Sequence, residues 1–149
     1  MGTQFRRMSL LSIFAIALVA ILSVSPAEAT RTAITAVTPL GPYPTLPVSA
    51  TTLDLAWTAA DVSNFNSFLL QGPAIILVRN VHASSPFTFT LTSSADARGR
   101  TGDITTYSLA AGKVAAFNLN STAGWLQTDG SFYLAGSDVS IQFCIIRLP

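Results

Sequence analysis

Residues 86–92 read PFTFTLT and carry the clearest structural signal in this chain of 149 residues. Phe87, Phe89 and Leu91 alternate with three threonines, so apolar side chains fall on one face of an extended segment and hydroxyl groups on the other. This alternation is typical of an antiparallel strand that buries only one face. The stretch therefore predicts a half-buried strand and favours an all-β protein.

Similar short runs, rich in Thr, Val, Ile and Phe, occur on both sides of this stretch. They predict strands at 53–57, 74–78, 104–109, 114–119, 125–127, 131–134 and 139–148. The run at 74–78 predicts a central strand buried on both faces. Val139 is assigned to the inward face of the last strand. Residues 59–67 could form a helical turn. About eight short strands predict an antiparallel β-sandwich, best described as a jelly roll, with an immunoglobulin-like sandwich as the alternative.

The N-terminus predicts a secretory signal peptide at residues 1–29. Arg6 and Arg7 precede an uncharged apolar run at 10–24, and Ala27 and Ala29 supply the small residues that a signal peptidase requires. The apolar run of about 15 residues is shorter than the roughly 20 that a membrane-spanning helix needs. We therefore expect cleavage after Ala29, a secreted, extracellular or periplasmic location, and no membrane span in the mature protein.

The mature part divides into a 30–47 segment and a 48–149 β-sandwich domain. Residues 30–37 could form a strand, and four prolines (Pro39, Pro42, Pro44 and Pro47) follow it closely. Such a composition indicates a stiff, extended linker. The segment is interpreted as a first strand of its own sandwich, or alternatively as an arm that pairs with the sheet edge of a neighbouring copy.

The mature part carries little charge. Removing Arg6, Arg7 and Glu28 with the signal leaves six basic and six acidic residues. This balance argues against a nucleic-acid partner and is compatible with a homo-oligomer or a lattice of identical copies. Cys144 is the single cysteine, so the monomer has no internal disulfide, and in an apolar strand it is expected to act as a small hydrophobic residue.

No catalytic or cofactor site is visible in the sequence. His82 is the only histidine, which argues against the usual transition-metal sites, and it is assigned to a loop. The chain lacks the G-x-S-x-G elbow of serine hydrolases. Its aspartates are placed mostly in turns, where local hydrogen bonding accounts for them. The sequence thus predicts a protein that is not an enzyme and binds no cofactor or metal.

Five residues remain as candidates for an interaction site. Asp96 and Asp103 flank Arg98 and Arg100 in a polar loop, which favours Arg–Asp pairs that brace the loop over a calcium site. The aromatic residues Trp57 and Trp125 raise the alternative of a surface glycan as ligand, with Trp125 expected to be the more exposed. The candidate interaction residues are Tyr43, Arg98, Arg100, Asp103 and Trp125.

Several strings are similar to those of small β-rich proteins encoded with the head genes of tailed bacteriophages and prophages. The most specific is GRTGDITTY at 99–107, and the resemblance covers most of residues 36–149. Further matching strings lie at 38–44, 53–55, 58–61, 66–68, 77–80, 124–125, 129–130 and 147–149. The resemblance implies a non-catalytic, capsid-associated, decoration-like structural protein that works by repetition on a lattice.

The signal peptide departs from this family, because tailed-phage heads assemble in the cytoplasm. Either the chain is an exported relative that forms an extracellular layer or fibre, or its first 29 residues are an unusual start of a virion protein. The sequence therefore predicts a non-catalytic exported structural protein, with a secreted carbohydrate-binding module as the alternative.

Overall fold

The computed structural model describes residues 30–39 and 54–148, which form nine β-strands and no helix. The strands are β1 (Thr32–Ala33), β2 (Thr58–Ala59), β3 (Asn66–Leu69), β4 (Ala74–Asn80), β5 (Phe87–Thr92), β6 (Ile104–Leu109), β7 (Val114–Leu119), β8 (Ser131–Gly136) and β9 (Ile141–Arg147). Strands β4 to β9 lie where the alternating sequence patterns predict them, apart from shifts at their ends. The all-β prediction is confirmed.

The strands form two sheets that pack face to face. One sheet has five strands in the order β1-β3-β8-β5-β6, and the other has four in the order β2-β9-β4-β7. All strand pairs are antiparallel except β1 with β3. The predicted antiparallel β-sandwich is therefore confirmed.

The pairing of the last eight strands is nested. Strand β5 pairs with β6, β4 with β7, β3 with β8 and β2 with β9, as if one long hairpin had been wrapped into two layers. Because these pairs alternate between the two sheets, only the β5–β6 connection joins neighbouring strands of one sheet. Strands distant in sequence thus become neighbours.

The core lies between the sheets and is built from alternate residues of each strand. Phe132, Phe143 and Leu91 are completely buried, and Phe68 stacks on Phe132 with ring centroids 5.3 Å apart. On β4, Ala74, Ile76 and Val78 are buried whereas the residues between them are half-buried, so this strand is not buried on both faces as predicted. The reason is that no third layer formed by the described residues fully covers the outer face of the four-stranded sheet.

Three local predictions are wrong. Residues 54–57 form no strand; Leu55 is exposed, and β2 begins only at Thr58. Residues 125–127 belong to a turn, because the N–H groups of Trp125 and Leu126 both donate to the Thr122 carbonyl, at 3.1 and 3.0 Å. Val139 faces solvent, since it lies in the turn before β9.

The segment 59–67 contains a turn instead of a helix. The Asp61 carboxylate accepts hydrogen bonds from the N–H groups of Ser63 and Asn64, at 3.0 and 2.9 Å. The backbone carbonyl of Asp61 accepts the N–H of Phe65 at 2.8 Å. Phe65 has φ 64°, a left-handed conformation that ends the turn and starts β3 at Asn66. Strand β3 was not predicted because the polar side chains at its start do not fit the apolar pattern of a strand.

Residues 30–39 pack against their own sandwich. Strand β1 pairs in parallel with β3, Ile34 is buried in the core, and Val37 bridges β9 at Ile146. The segment therefore touches both sheets on the side of the sandwich where β2 also lies. We call this the sealed side, defined by residues 30–39 and β2. In the structure of the single chain, this segment thus pairs with its own sandwich.

Candidate functional site

The two sides of the sandwich end in different kinds of edge strand. On the sealed side the edge strands β1 and β2 have two residues each. On the opposite side the edge strands β6 and β7 have six residues each. A strand at a sheet edge presents unpaired N–H and C=O groups that another chain can pair with. We call the side formed by β6 and β7 the open side.

A groove of about 480 Å³, lined mostly by apolar residue types and by exposed backbone, runs between β6 and β7 on the open side. The buried side chains of Val78 and Leu91 form its floor. Its rim carries Tyr107, which is 50% exposed, and Val114, which is 59% exposed. Among the described residues that line it, Lys113 is the only charged one. Large apolar side chains exposed together around a groove are typical of an interaction surface.

The edge of β6 is interrupted by a β-bulge. Phe89 pairs with Tyr107 and Leu91 with Ile104, so β6 contains one residue more than β5 over this interval. Thr106 has φ 48°, and its N–H donates to the Thr90 hydroxyl at 3.1 Å. A bulge bends and twists an edge strand and thereby hinders pairing with another chain.

The edge of β7 is regular by comparison. All its residues from Val114 to Leu119 pair with β4 in one unbroken register. Its sequence, VAAFNL, contains no charged residue, and Val114, Ala116 and Asn118 are exposed. Among the described edge strands, β7 is therefore the one that is six residues long, regular in its pairing and uncharged.

Trp125, a predicted exposed residue, is half-buried. Its ring stacks on Phe132 with centroids 5.3 Å apart and meets Phe117 edge-on at 5.1 Å. The exposure predicted from Gly124 is therefore wrong, because the turn that contains both residues lays the ring against the core. Phe117 also lines the groove, so Trp125 supports the open side from beneath.

The polar loop 93–103 is braced by its aspartates. Asp96 forms an ion pair with Arg100 at 2.7 Å and also accepts the N–H groups of Arg100 and Arg98, at 2.9 and 2.8 Å. These hydrogen bonds, above all the one from the Arg100 backbone, lower the pKa of Asp96. The predicted Arg–Asp brace is thus present, although Arg98 takes part through its backbone only.

Asp103 binds a different part of this loop. Its carboxylate accepts the N–H of Ser93 at 2.6 Å and the Ser93 hydroxyl at 2.7 Å. The two aspartates therefore do not face a common point. Residues 30–39 and 54–148 contain no group of three or more His, Cys, Asp or Glu side chains arranged to hold a metal ion.

Two of the candidate interaction residues lie together. Arg100 and Trp125 line a shallow depression of about 310 Å³, next to Ser94 and Gly102. Tyr43 lies outside the described residues. The structure therefore joins the polar loop to Trp125 and does not place these residues on the groove of the open side.

The residues with reactive side chains have structural roles. Cys144 is completely buried, and this burial raises the pKa of its thiol, which disfavours the nucleophilic thiolate. His82 lies in the β4–β5 loop, where its Nδ1 accepts the N–H groups of Ser84 and Ser85 at 3.2 and 2.8 Å. Both agree with the roles predicted from the sequence.

The sealed side is held by polar contacts to the N-terminal segment. The Thr32 hydroxyl donates to Asp61 at 2.6 Å, and the Arg31 guanidinium lies 3.8 Å from the centre of the Tyr133 ring. The hydrogen bond from Thr32, followed by those from Asn64, lowers the pKa of Asp61 from 3.8 to about 2. These contacts fix β1 to the β2–β3 turn and to β8.

Sequence analysis missed the residues of the open side, among them Tyr107, Val114 and Phe117. The available signal was the absence of charge from 104–109 and 114–119. Periodicity alone could not distinguish these edge strands from central ones, because both alternate in the same way.

Comparisons with protein-family models, with curated proteins and with solved structures find no match to this chain. The described residues include no helix with the length and hydrophobicity that a membrane span requires.

Proposed function

We propose that this chain is an exported, non-catalytic structural protein whose β-sandwich binds copies of itself, as the protomer of a surface layer or an extracellular fibre. The observation that carries the proposal is the open side, where two uncharged six-residue edge strands flank a groove. An uncharged edge of this kind favours association between β-sheets. The near-neutral mature chain supports it, since identical copies repel one another little.

The sealed side supports the exported form of the proposal. The signal is predicted to end at Ala29, and the residues that follow contribute Ile34 to the core. Cleavage at that position would leave the whole described sandwich intact. We therefore propose that the mature protein begins at Thr30.

We further propose that the sandwich is a jelly roll. The nested pairs β2·β9, β3·β8, β4·β7 and β5·β6 support this class, because a jelly roll is a long antiparallel hairpin folded into two sheets. An immunoglobulin-like sandwich distributes its strands differently. Jelly rolls build viral capsids as well as lectins, so this fold class alone does not decide the function.

The test is the mass of the exported protein in solution. The full gene is expressed, the protein is recovered from the periplasm or the medium, and its N-terminus is identified by mass spectrometry. Light scattering after size exclusion, from about 10 µM to about 1 mM, should then show a mass that rises with concentration. A monomer over the whole range, or a protein that stays in the cytoplasm with residues 1–29 attached, would contradict the proposal.

A secreted carbohydrate-binding module is the second candidate. It is favoured by the depression that Arg100 and Trp125 both line, since aromatic rings and polar side chains together bind sugars. A glycan array decides between the two candidates. Binding that is lost in a Trp125→Ala variant of unchanged fold would favour the module, and an empty array would remove it.

A further inference from the structure

We propose that two copies of this chain pair antiparallel through the free edge of β7, about a two-fold axis at Ala116, so that their four-stranded sheets join into one. This inference rests on the proposed self-association and specifies its surface. The binding partner at the open side is thus strand β7 of a second copy of this chain.

The choice of β7 follows from a comparison of the four sheet edges. Strands β1 and β2 are too short to template a partner, with two residues each. Strand β6 is broken by the bulge at Thr106. Strand β7 keeps an unbroken register with β4 over six residues and carries no charge.

The direction of the β7 amides follows from its ladder with β4. Hydrogen-bonded and non-hydrogen-bonded pairs alternate in an antiparallel ladder. The N–H of Asn80 donates to the Lys113 carbonyl at 3.0 Å, so Asn80 and Lys113 occupy a hydrogen-bonded position. Two residues further, Ala115 therefore faces β4 with its backbone groups. The N–H and C=O groups of Val114, Ala116 and Asn118 then point to the free edge.

This alternation sets the register of the proposed pair. Outward backbone groups can bond only to outward groups of the partner, so Ala116 lies opposite Ala116 of the second copy and Val114 opposite Asn118. Small alanine side chains then meet at the axis, where two backbones must approach closely. Every outward N–H and C=O of β7 finds a partner in this register.

The charges favour the antiparallel direction. Lys113 precedes β7 and is the one charged residue that the described part of the chain places at this edge. In the antiparallel pair it lies opposite Leu119 of the second copy, and six residues of strand, about 20 Å, separate the two lysines along the edge. In a parallel pair the two ammonium groups would be neighbours and would repel each other.

The size of the contact predicts a weak pair. A strand about 20 Å long at the edge of a sandwich with sheets about 10 Å apart covers roughly 400 Å² per copy once side chains are included. The total of roughly 800 Å² lies below the range of stable complexes. The pair should therefore form reversibly and only at high concentration.

Substitutions at Ala116 test the interface. Ala116→Pro removes an outward N–H, which a free edge tolerates, and Ala116→Lys places two like charges at the axis. Ala33→Lys puts the same charge on β1, at the exposed edge of the sealed side, and is the matched control. Light scattering should show that both Ala116 variants stay monomeric at about 1 mM, whereas wild type and Ala33→Lys associate.

A cross-link gives an independent readout that does not depend on a loss of binding. Facing residues in a hydrogen-bonded pair have Cα atoms about 5.5 Å apart, within the range that a disulfide spans. Ala116→Cys should therefore form a covalent dimer under mild oxidation, whereas Ala33→Cys should remain monomeric. Cys144 should not interfere, because it is fully buried.

The outcomes separate this inference from the function on which it rests. A wild-type monomer at every concentration would overturn both. Association that persists in Ala116→Pro and Ala116→Lys, together with equal cross-linking of the two cysteine variants, would overturn the β7 interface and leave self-association standing. Should the proline variant fail to fold by circular dichroism, the lysine and cysteine variants decide alone.

Discussion

Replacing Ile34 with alanine tests whether residues 30–39 belong to the sandwich of their own chain. The Ile34 side chain is 5% exposed and packs in the core between the sheets, while its neighbour Thr35 is exposed. A buried isoleucine truncated to alanine loses about 2–5 kcal/mol of unfolding free energy, because contacts disappear and a cavity remains. We take about 3 kcal/mol as the expected loss at this site.

Urea unfolding followed by tryptophan fluorescence measures this loss. With a denaturant slope of about 1.5 kcal/mol per M, the midpoint of Ile34→Ala should fall by about 2 M. If the wild type has the usual free energy of unfolding, roughly 5–15 kcal/mol, the variant should remain folded. Thr35→Ala is the matched control and should change the free energy of unfolding by less than about 0.5 kcal/mol.

Two results would refute the reasoning. Equal midpoints for Ile34→Ala and Thr35→Ala would mean that the segment does not pack on the sandwich in solution. A difference between Ile34→Ala and wild type that changes with protein concentration would mean that the segment packs on a neighbouring copy, since only intermolecular docking depends on concentration.

Four further tests, by substitution or by chemical labelling, address other contacts. Gly136→Ala should destabilise the sandwich by about 1–3 kcal/mol in the same urea assay, because a Cβ at this position would lie 2.5 Å from that of Ala60. The side chain of Asn80 is buried and donates to the Leu109 carbonyl at 2.9 Å, so Asn80→Ala should lose about 1–3 kcal/mol and Asn80→Asp, which cannot donate when ionised, should lose more. Asp61 has its pKa lowered from 3.8 to about 2 in the folded state, so its contribution to stability is present above pH 4 and is lost as the pH falls towards 2. Urea midpoints between pH 4 and pH 2 should therefore decline less steeply in Asp61→Asn than in wild type, and equal slopes would contradict this. Cys144 should react with a thiol reagent only in denaturant, and rapid labelling of the native protein would show that it is accessible.

Much of the fold was predictable because a half-buried strand alternates apolar and polar residues, and this alternation identifies its buried face. The alternation of Phe87, Phe89 and Leu91 with threonines located β5 and its buried face, similar short runs located β6 to β9, and the continuous apolar run at 74–78 located β4. Strand β3 was missed because Asn66 is polar and yet fully buried; its side-chain carbonyl accepts the Asp61 N–H at 2.9 Å. A satisfied buried amide has no signature in a hydrophobic pattern.

The edges of the sandwich could not be predicted, because they depend on strand order. The patterns at 104–109 and 114–119 identify strands and do not say that both are edges of their sheets. Trp125 illustrates the same limit: its neighbour Gly124 suggested an exposed turn, but contacts with Phe117 and Phe132 decide where the ring lies. These contacts join residues that only the folded topology brings together.

The symmetry of the proposed β7 pair limits what it can build. An isologous contact about a two-fold axis closes on itself, so it produces dimers and no larger object. A layer or fibre therefore requires a second surface on each dimer. The two ends of β3 carry the exposed apolar side chains of Phe65 and Leu69, and β3 lies in the sheet that does not contain β7. If the mass stops at the dimer at every concentration, the protein is a dimeric building block that needs another partner. If it continues to rise in wild type while both Ala116 variants stay monomeric at about 1 mM, the second contact forms only on the β7 dimer.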